Sequence, residues 1–168
     1  MADFTTLVSL GSDYAQFVSQ GSDEQIAHLR REQAKTARAD FFTAELRAAI
    51  DCLGDDYTLL VAAEMWCPDC LRNVPALQAL CRATGISMKI ITREQATPLF
   101  TQRFNVEKVS IPFVAILDAA LQPIGTFIER PRAVQHAGED ALLAYQQGER
   151  LRDTVAEVVA VIQQRDQL

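Results

Sequence analysis

The sequence predicts an α/β chain with a central mixed β-sheet flanked by helices and a helical extension at its N-terminus. Three observations carry this prediction. Thr58–Ala63 is a short continuous apolar run, a helical stretch separates it from the alternating segment Ile86–Ile90, and two further strand-like segments follow at Ile111–Leu117 and Ile124–Ile128. A run of that length bounded by turn residues fits a strand buried on both faces, and strand, helix and strand in succession form a βαβ unit. With 168 residues, 49% of them apolar, the chain can fill one core.

Taken in order, residues 1–53 contain no proline and no strand pattern. Tyr14, Phe17 and Val18 predict a short helix that stops near Gly21. Ser22 and Asp23 open a longer one. Ile26, Leu29, Ala37, Phe41, Ala44, Ala48 and Cys52 recur at helical spacing, so one amphipathic helix is expected to run to about Leu53, with Arg30, Arg31, Glu32, Lys35 and Arg38 as its solvated flank. Gly54, Asp55 and Asp56 close this extension, residues 1–53, which is expected to pack on the rest through Phe41 and Leu46, leaving residues 54–168 as the main domain. There the helix after the first strand starts at about Cys67 and ends at Thr84–Gly85. A polar helical stretch lies around Leu99–Phe104. The last two strands read as an antiparallel hairpin whose loop, Asp118–Pro123, is longer than a tight turn. Leu151, Val155, Val158, Val159 and Ile162 share one face of a final helix that should cover the sheet.

Composition narrows the function. Asp and Glu number 22 against 16 Lys and Arg, for a net charge of −6 and a pI near 4.9, which argues against nucleic acid as a partner. No apolar run approaches the roughly 20 residues of a membrane-spanning helix. The first charge is an acid and no basic, then apolar, leader follows it, so a cytoplasmic protein is expected. Four cysteines are too few to staple a secreted scaffold, and a close pair in a reducing compartment is more often catalytic or metal-binding.

Such a pair exists. Glu64-Met65-Trp66-Cys67-Pro68-Asp69-Cys70 follows the buried strand and opens a helix. Cys67 then sits at an exposed helix N-terminus, where unpaired N–H groups and the helix dipole favour a thiolate, lowering its pKa towards about 7 or below. Cys67 would attack a disulfide first; Cys70, one turn on, would resolve the mixed disulfide and close a Cys67–Cys70 disulfide.

In these residues the sequence resembles the thioredoxin family. Trp66-Cys67-Pro68-Asp69-Cys70 lies between strand and helix, Pro75 lies inside that helix, and Ile111-Pro112 opens a later strand. The resemblance covers roughly residues 54–168 and implies a thioredoxin-like fold, a cis bond before Pro112, and Pro112 seated against the two cysteines. The main chain of Ile111 could then pair with an extended substrate segment. Family behaviour further implies a thiol–disulfide oxidoreductase that reduces protein or small-molecule disulfides, with no bound cofactor beyond the redox-active pair. Its electrons would come from a thioredoxin reductase or from glutathione; the second is the weaker option because the paired glycines that glutaredoxins carry after their proline are absent. One departure stands out. Thioredoxins carry a buried Asp six residues before the first cysteine, where this chain has Val61, so Glu64 and Asp69 become the candidates for taking the Cys70 proton.

Other residues carry blander readings. Cys52 and Cys81 fall among apolar positions and are expected in the core; Cys81 is eleven residues beyond Cys70, about 16 Å along a helix and too far to share one metal ion. No metal site is expected. Trp66 reads as part of a docking surface, and His28 and His136 as solvated surface. A different class of function, a binding module whose N-terminal helices recruit a protein partner, is the alternative.

Overall fold

A computed structural model describes residues 3–168. Nine helices and four strands occur among them: α1 (Phe4–Leu10), α2 (Tyr14–Ser19), α3 (Asp23–Thr36), α4 (Ala44–Asp51), β1 (Thr58–Ala62), α5 (Pro68–Thr84), β2 (Ser87–Ile91), α6 (Arg93–Arg103), β3 (Phe113–Leu117), β4 (Pro123–Ile128), α7 (Arg132–Gln135), α8 (Glu139–Gln146) and α9 (Leu151–Asp166). The strands form one mixed sheet in the order β2-β1-β3-β4. β1 pairs in parallel with β2 and antiparallel with β3, and β3 pairs antiparallel with β4. This is a thioredoxin-like fold.

The two central strands are the most apolar and the most buried, as a strand covered on both faces must be. Leu59, Leu60, Val61 and Ala62 of β1 and all five residues of β3 are without solvent exposure. Phe4 of α1, Phe100 of α6, Phe104 and Phe113 of β3 pack as a tilted aromatic cluster with ring centroids 5.1–6.2 Å apart. On α9, Leu151, Val155, Val158, Val159 and Ile162 are all buried. Gly125 lets α9 approach β4, because a Cβ there would meet Val161 at 2.6 Å. At the end of α5, Gly85 adopts φ +86 and its N–H caps the Cys81 carbonyl, the left-handed ending that glycine takes without strain.

Several elements differ from the sequence reading. The single helix expected over residues 23–53 is two, α3 and α4, because Thr43 starts a new helix by accepting the N–H of Leu46 and because Phe41 turns into the core instead of continuing the helical face. Arg152 fixes that turn by donating to the carbonyls of Phe41 and Asp40. Glu32, placed on the solvated flank, is buried and is held by Lys35 at 3.0 Å. Cys52 is exposed, not core, since it caps the end of α4 rather than lying on its inner face; Cys81 is buried. His136 is exposed, whereas His28 is half-buried beside Glu32. α1, α7 and α8 had no periodic apolar pattern long enough to announce them, and α6 is longer than the polar stretch suggested.

The N-terminal helices share the core of the rest. Ser12 bridges to Ile90, extending the edge of the sheet, and Phe4, Leu7, Phe17, Val18, Leu29, Phe41 and Ile50 are all buried in one cluster with the β1 and α5 side chains. Each contributes about 1.5–3 kcal/mol, so their joint removal is comparable to the roughly 5–15 kcal/mol by which a domain is stable. A fragment of residues 54–168 should therefore show no cooperative thermal transition by circular dichroism; a sharp melt would show that the extension is dispensable.

Candidate functional site

Where β1 leaves the sheet, the chain turns directly into α5. Cys67 donates its N–H to the Glu64 carbonyl at 3.2 Å, Pro68 supplies the first helical residue, and Cys67 occupies the cap position of a 17-residue helix. Pro75 interrupts the ladder of α5 further on. All four cysteines are free thiols. Cys67, expected at an exposed helix end, keeps 6% of its surface and Cys70 none, because α5 starts directly beneath the Ile111 segment. Both cysteines are buried, and the little exposure the pair retains lies at Cys67.

Their acidities diverge as well. Cys67 is lowered to about 7, chiefly because the Cys70 thiol donates to its sulfur; the N–H groups of Cys70 and Asp69 face that sulfur too, while partial burial and the Asp69 charge oppose the shift. Cys70 is pushed well above the ordinary thiol range, first by burial and then by its bond to Cys67, by the Cys67 charge and by Asp69, against a single helping N–H from Glu64. The pair thus divides into one ready thiolate and one thiol that stays protonated.

The Ile111–Pro112 bond is cis. As a thiol, Cys67 donates to the Ile111 carbonyl across 3.6 Å. Ile111 and Pro112 are buried beside it, while Trp66 is 58% exposed, the largest apolar side chain presented near the sulfur. Val61, three residues before Glu64, lies fully buried between Ile90 and Val114. The two carboxylates differ. Glu64 accepts the N–H of Arg93 at 2.8 Å, capping the first turn of α6. Asp69 is drawn to the other side: its Oδ1 accepts the Tyr145 hydroxyl at 2.6 Å and lies 3.3 Å from Arg72 and 3.6 Å from Arg130.

Beneath Asp69 runs a polar network that sequence reading missed. Asn73, fully buried on α5, has its Nδ2 within 2.9 Å of the Asp69 carbonyl, 3.1 Å of the Glu129 carbonyl and 2.9 Å of the Tyr145 hydroxyl oxygen. Two of those three partners are carbonyls and can only accept, so the amide must present its NH₂ to them. Its oxygen then accepts from Thr154 at 2.6 Å, and the Tyr145 hydroxyl, with a donor behind it, directs its own hydrogen to Asp69. Glu129, at φ +66, returns its N–H to the Pro112 carbonyl at 2.8 Å. One chain of bonds therefore joins the helix carrying both cysteines to the Ile111–Pro112 turn. A buried Asn four residues after Asp69 was the available signal; Tyr145 and Arg130 lie in segments with no pattern to mark them.

Among the described residues no group of three or more metal-ligating side chains occurs, and no helix is long and apolar enough to cross a membrane. The chain matches the thioredoxin family over residues 11–142, a span that begins within the N-terminal helices. Among solved structures it is similar to a protein of unknown function from Pseudomonas aeruginosa, with 34% identity, a TM-score of 0.94 and coverage of 98% of this chain and 99% of that one. It is also similar to an HIV epitope-scaffold, with 33% identity, a TM-score of 0.93 and coverage of 96% and 98%. No significant match was found among curated proteins.

The divided acidities give a direct expectation. In a Cys52→Ala variant, which removes the exposed competing thiol, the iodoacetamide alkylation rate should rise through a midpoint near pH 7 and level off above it, because the thiolate is the reactive form. Peptide mapping should place the label on Cys67, with Cys70 and Cys81, the latter pushed up to about 12 by burial, unlabelled. A midpoint above pH 8.5 would show that Cys67 is an ordinary thiol.

Proposed function

The chain belongs to the thioredoxin family, and on that premise we propose that it is a thiol–disulfide oxidoreductase that reduces protein or small-molecule disulfides with Cys67 and Cys70. The observation that carries the reading is the division of labour between the two cysteines: the less enclosed one is the acidic one, and the fully enclosed one is held protonated.

In the forward cycle the Cys67 thiolate attacks one sulfur of the substrate disulfide, forming a Cys67–substrate disulfide and expelling the other sulfur as a thiolate. Cys70 then gives up its proton and attacks the Cys67 sulfur; the mixed disulfide breaks, the second substrate thiol leaves, and a Cys67–Cys70 disulfide stores the oxidation. Two electrons have passed to the substrate. A thioredoxin reductase or glutathione returns them to the pair, and a reducing, cytoplasmic setting suits that supply.

Substrate docking falls to Trp66, Ile111 and Pro112. A Cys67 thiolate has no proton to donate, so the Ile111 carbonyl that it bonds as a thiol becomes free to accept from the main chain of an extended substrate. For the Cys70 proton each carboxylate has one oxygen engaged, Asp69 by the Tyr145 hydroxyl and Glu64 by the Arg93 N–H; Glu64, whose main chain faces the Cys70 sulfur, is the acceptor to test first. The binding-module alternative draws less support: the apolar faces of the N-terminal helices are spent on the core, and what they turn outward is mainly polar.

Purified protein should accelerate dithiothreitol-driven precipitation of insulin chains. Cys67→Ser should abolish the acceleration, whereas Cys52→Ala and Cys81→Ala should leave the rate within about twofold, since neither sulfur exchanges. Cys70→Ser should retain the first attack and accumulate an adduct on Cys67 that reductant releases, visible by intact mass. A wild-type rate equal to background would overturn the reading.

Single-turnover kinetics separate the two steps for Glu64. Glu64→Gln should slow release from the mixed disulfide by about 10²-fold, the lower range for loss of a general base, with the first attack nearly unchanged. Equal slowing of both steps would remove Glu64 from the proton path.

A further inference from the structure

An ionised carboxylate between two cysteines is an electrostatic liability for a nucleophilic thiol, and Asp69 opposes the thiolate at both sulfurs. Yet its side chain is not left to swing in solvent. It is 16% exposed and lies in the seam between α5 and α8, where three groups converge on one oxygen: the Tyr145 hydroxyl from α8 and Arg72 from α5 donate hydrogen bonds, and Arg130, just beyond β4, adds an ion pair at 3.6 Å through a buried Nε that has no hydrogen-bond partner among the described residues.

We propose that Tyr145 is a positioning residue for the thiol pair: with Arg72 and Arg130, its hydroxyl holds the Asp69 carboxylate in the α5–α8 seam and so limits the repulsion that Asp69 exerts on a Cys67 thiolate. The proposal rests on Cys67 being the reacting sulfur. The hydroxyl is committed to this bond, because Asn73 supplies a donor from behind and, among the described residues, its other acceptor, the Glu129 carbonyl, is at 3.5 Å and already takes the Asn73 amide. The bond of 2.6 Å to an ionised acceptor is of the short, charge-assisted kind. The Tyr145 phenol is raised above its ordinary range by burial and by the Asp69 charge, so it stays a donor across the working pH range.

The remaining charges around the seam are accounted for. Glu129 lies 3.8 Å from Arg130 and takes part of its charge. From α3, His28 is close enough to Arg72 to be lowered by it, though chiefly by burial, and His28 itself faces Glu32. Glu32 in turn is paired with Lys35. On the Cys67 side, the facing groups are the Cys70 thiol, the Ile111 carbonyl and the N–H groups of the first turn of α5.

Replacing Tyr145 by Phe isolates the hydroxyl. The ring stays, with Arg72 and Arg130 at 5.3 Å and 5.8 Å from its centroid, and the two hydrogens of Asn73 keep two carbonyl acceptors, so no buried donor is orphaned. Asp69 loses a donor, and Asn73 loses one of the three acceptors offered to its two hydrogens.

The experiment is a double-mutant cycle in the Cys52→Ala background, read by the pH dependence of Cys67 alkylation. Tyr145→Phe should raise the midpoint by roughly half a pH unit, and Asp69→Asn should lower it, since one strengthens and the other removes the nearby charge. The double variant should match Asp69→Asn alone. A Tyr145→Phe midpoint equal to the parent's, or an equal upward shift when Asp69 is Asn, would overturn the proposal. If Tyr145→Phe fails to fold, Arg130→Gln at the partly exposed rim replaces it, with the same upward shift expected and the same dependence on Asp69; an absent or Asp69-independent shift there also overturns it. The readout needs no disulfide substrate. A cycle that closes as expected in a protein with no insulin-reducing activity would refute the oxidoreductase reading while upholding the positioning role, and active protein with a failed cycle would do the reverse.

Discussion

β1 has neither a free edge nor a free face, and the site depends on that confinement. Its main chain is bonded to β2 on one side and β3 on the other, and its side chains are buried above and below. A strand so enclosed cannot slip by a residue without repacking close-fitted side chains on both faces at once. Its end is therefore a fixed point, and the four residues from Ala63 to Trp66 deliver Cys67 to the cap of α5 from it. The same sheet fixes the opposite wall, because Phe113 pairs with Ala62 and holds Ile111 and Pro112 immediately before the start of β3.

Beneath this apolar frame the first turn of α5 is tied down by polar bonds instead. Asn73, Tyr145 and Thr154, all buried, satisfy one another and the Glu129 carbonyl, and leaving any one group unpaired costs about 1–3 kcal/mol. A network of this kind tolerates little rearrangement. It links α5 to the turn before β3 through the Glu129 N–H and the Pro112 carbonyl, so the sulfur and the carbonyl that faces it share one support.

The N-terminal helices complete the molecule. α3 lies along α5, Ser12 extends the sheet edge, and Lys35, paired with the buried Glu32, donates to the carbonyl of Gln147 at the end of α8. The helices thus brace α5 along its length. Their apolar residues are buried where a recruiting surface would have exposed them.

Much of this was legible in the amino-acid order, because local patterns have local causes. A continuous apolar run is a strand covered on both faces, a glycine after the last helical turn ends the helix, and a cysteine following a buried strand and preceding Pro68 falls at a helix cap. The thiol pair, the sheet-forming segments and the final helix follow from such rules. What the sequence could not disclose depends on residues far apart in the chain meeting in space. The break at Phe41 is decided by Arg152, more than a hundred residues away. Cys52 shares the apolar spacing of its neighbours but lies past the helix end and faces solvent. Asp69 looks in sequence like a free acid beside a nucleophile. Only the packing of α8 against α5 shows that its charge is held by Tyr145, because a hydrogen bond across 76 residues leaves no periodicity to read.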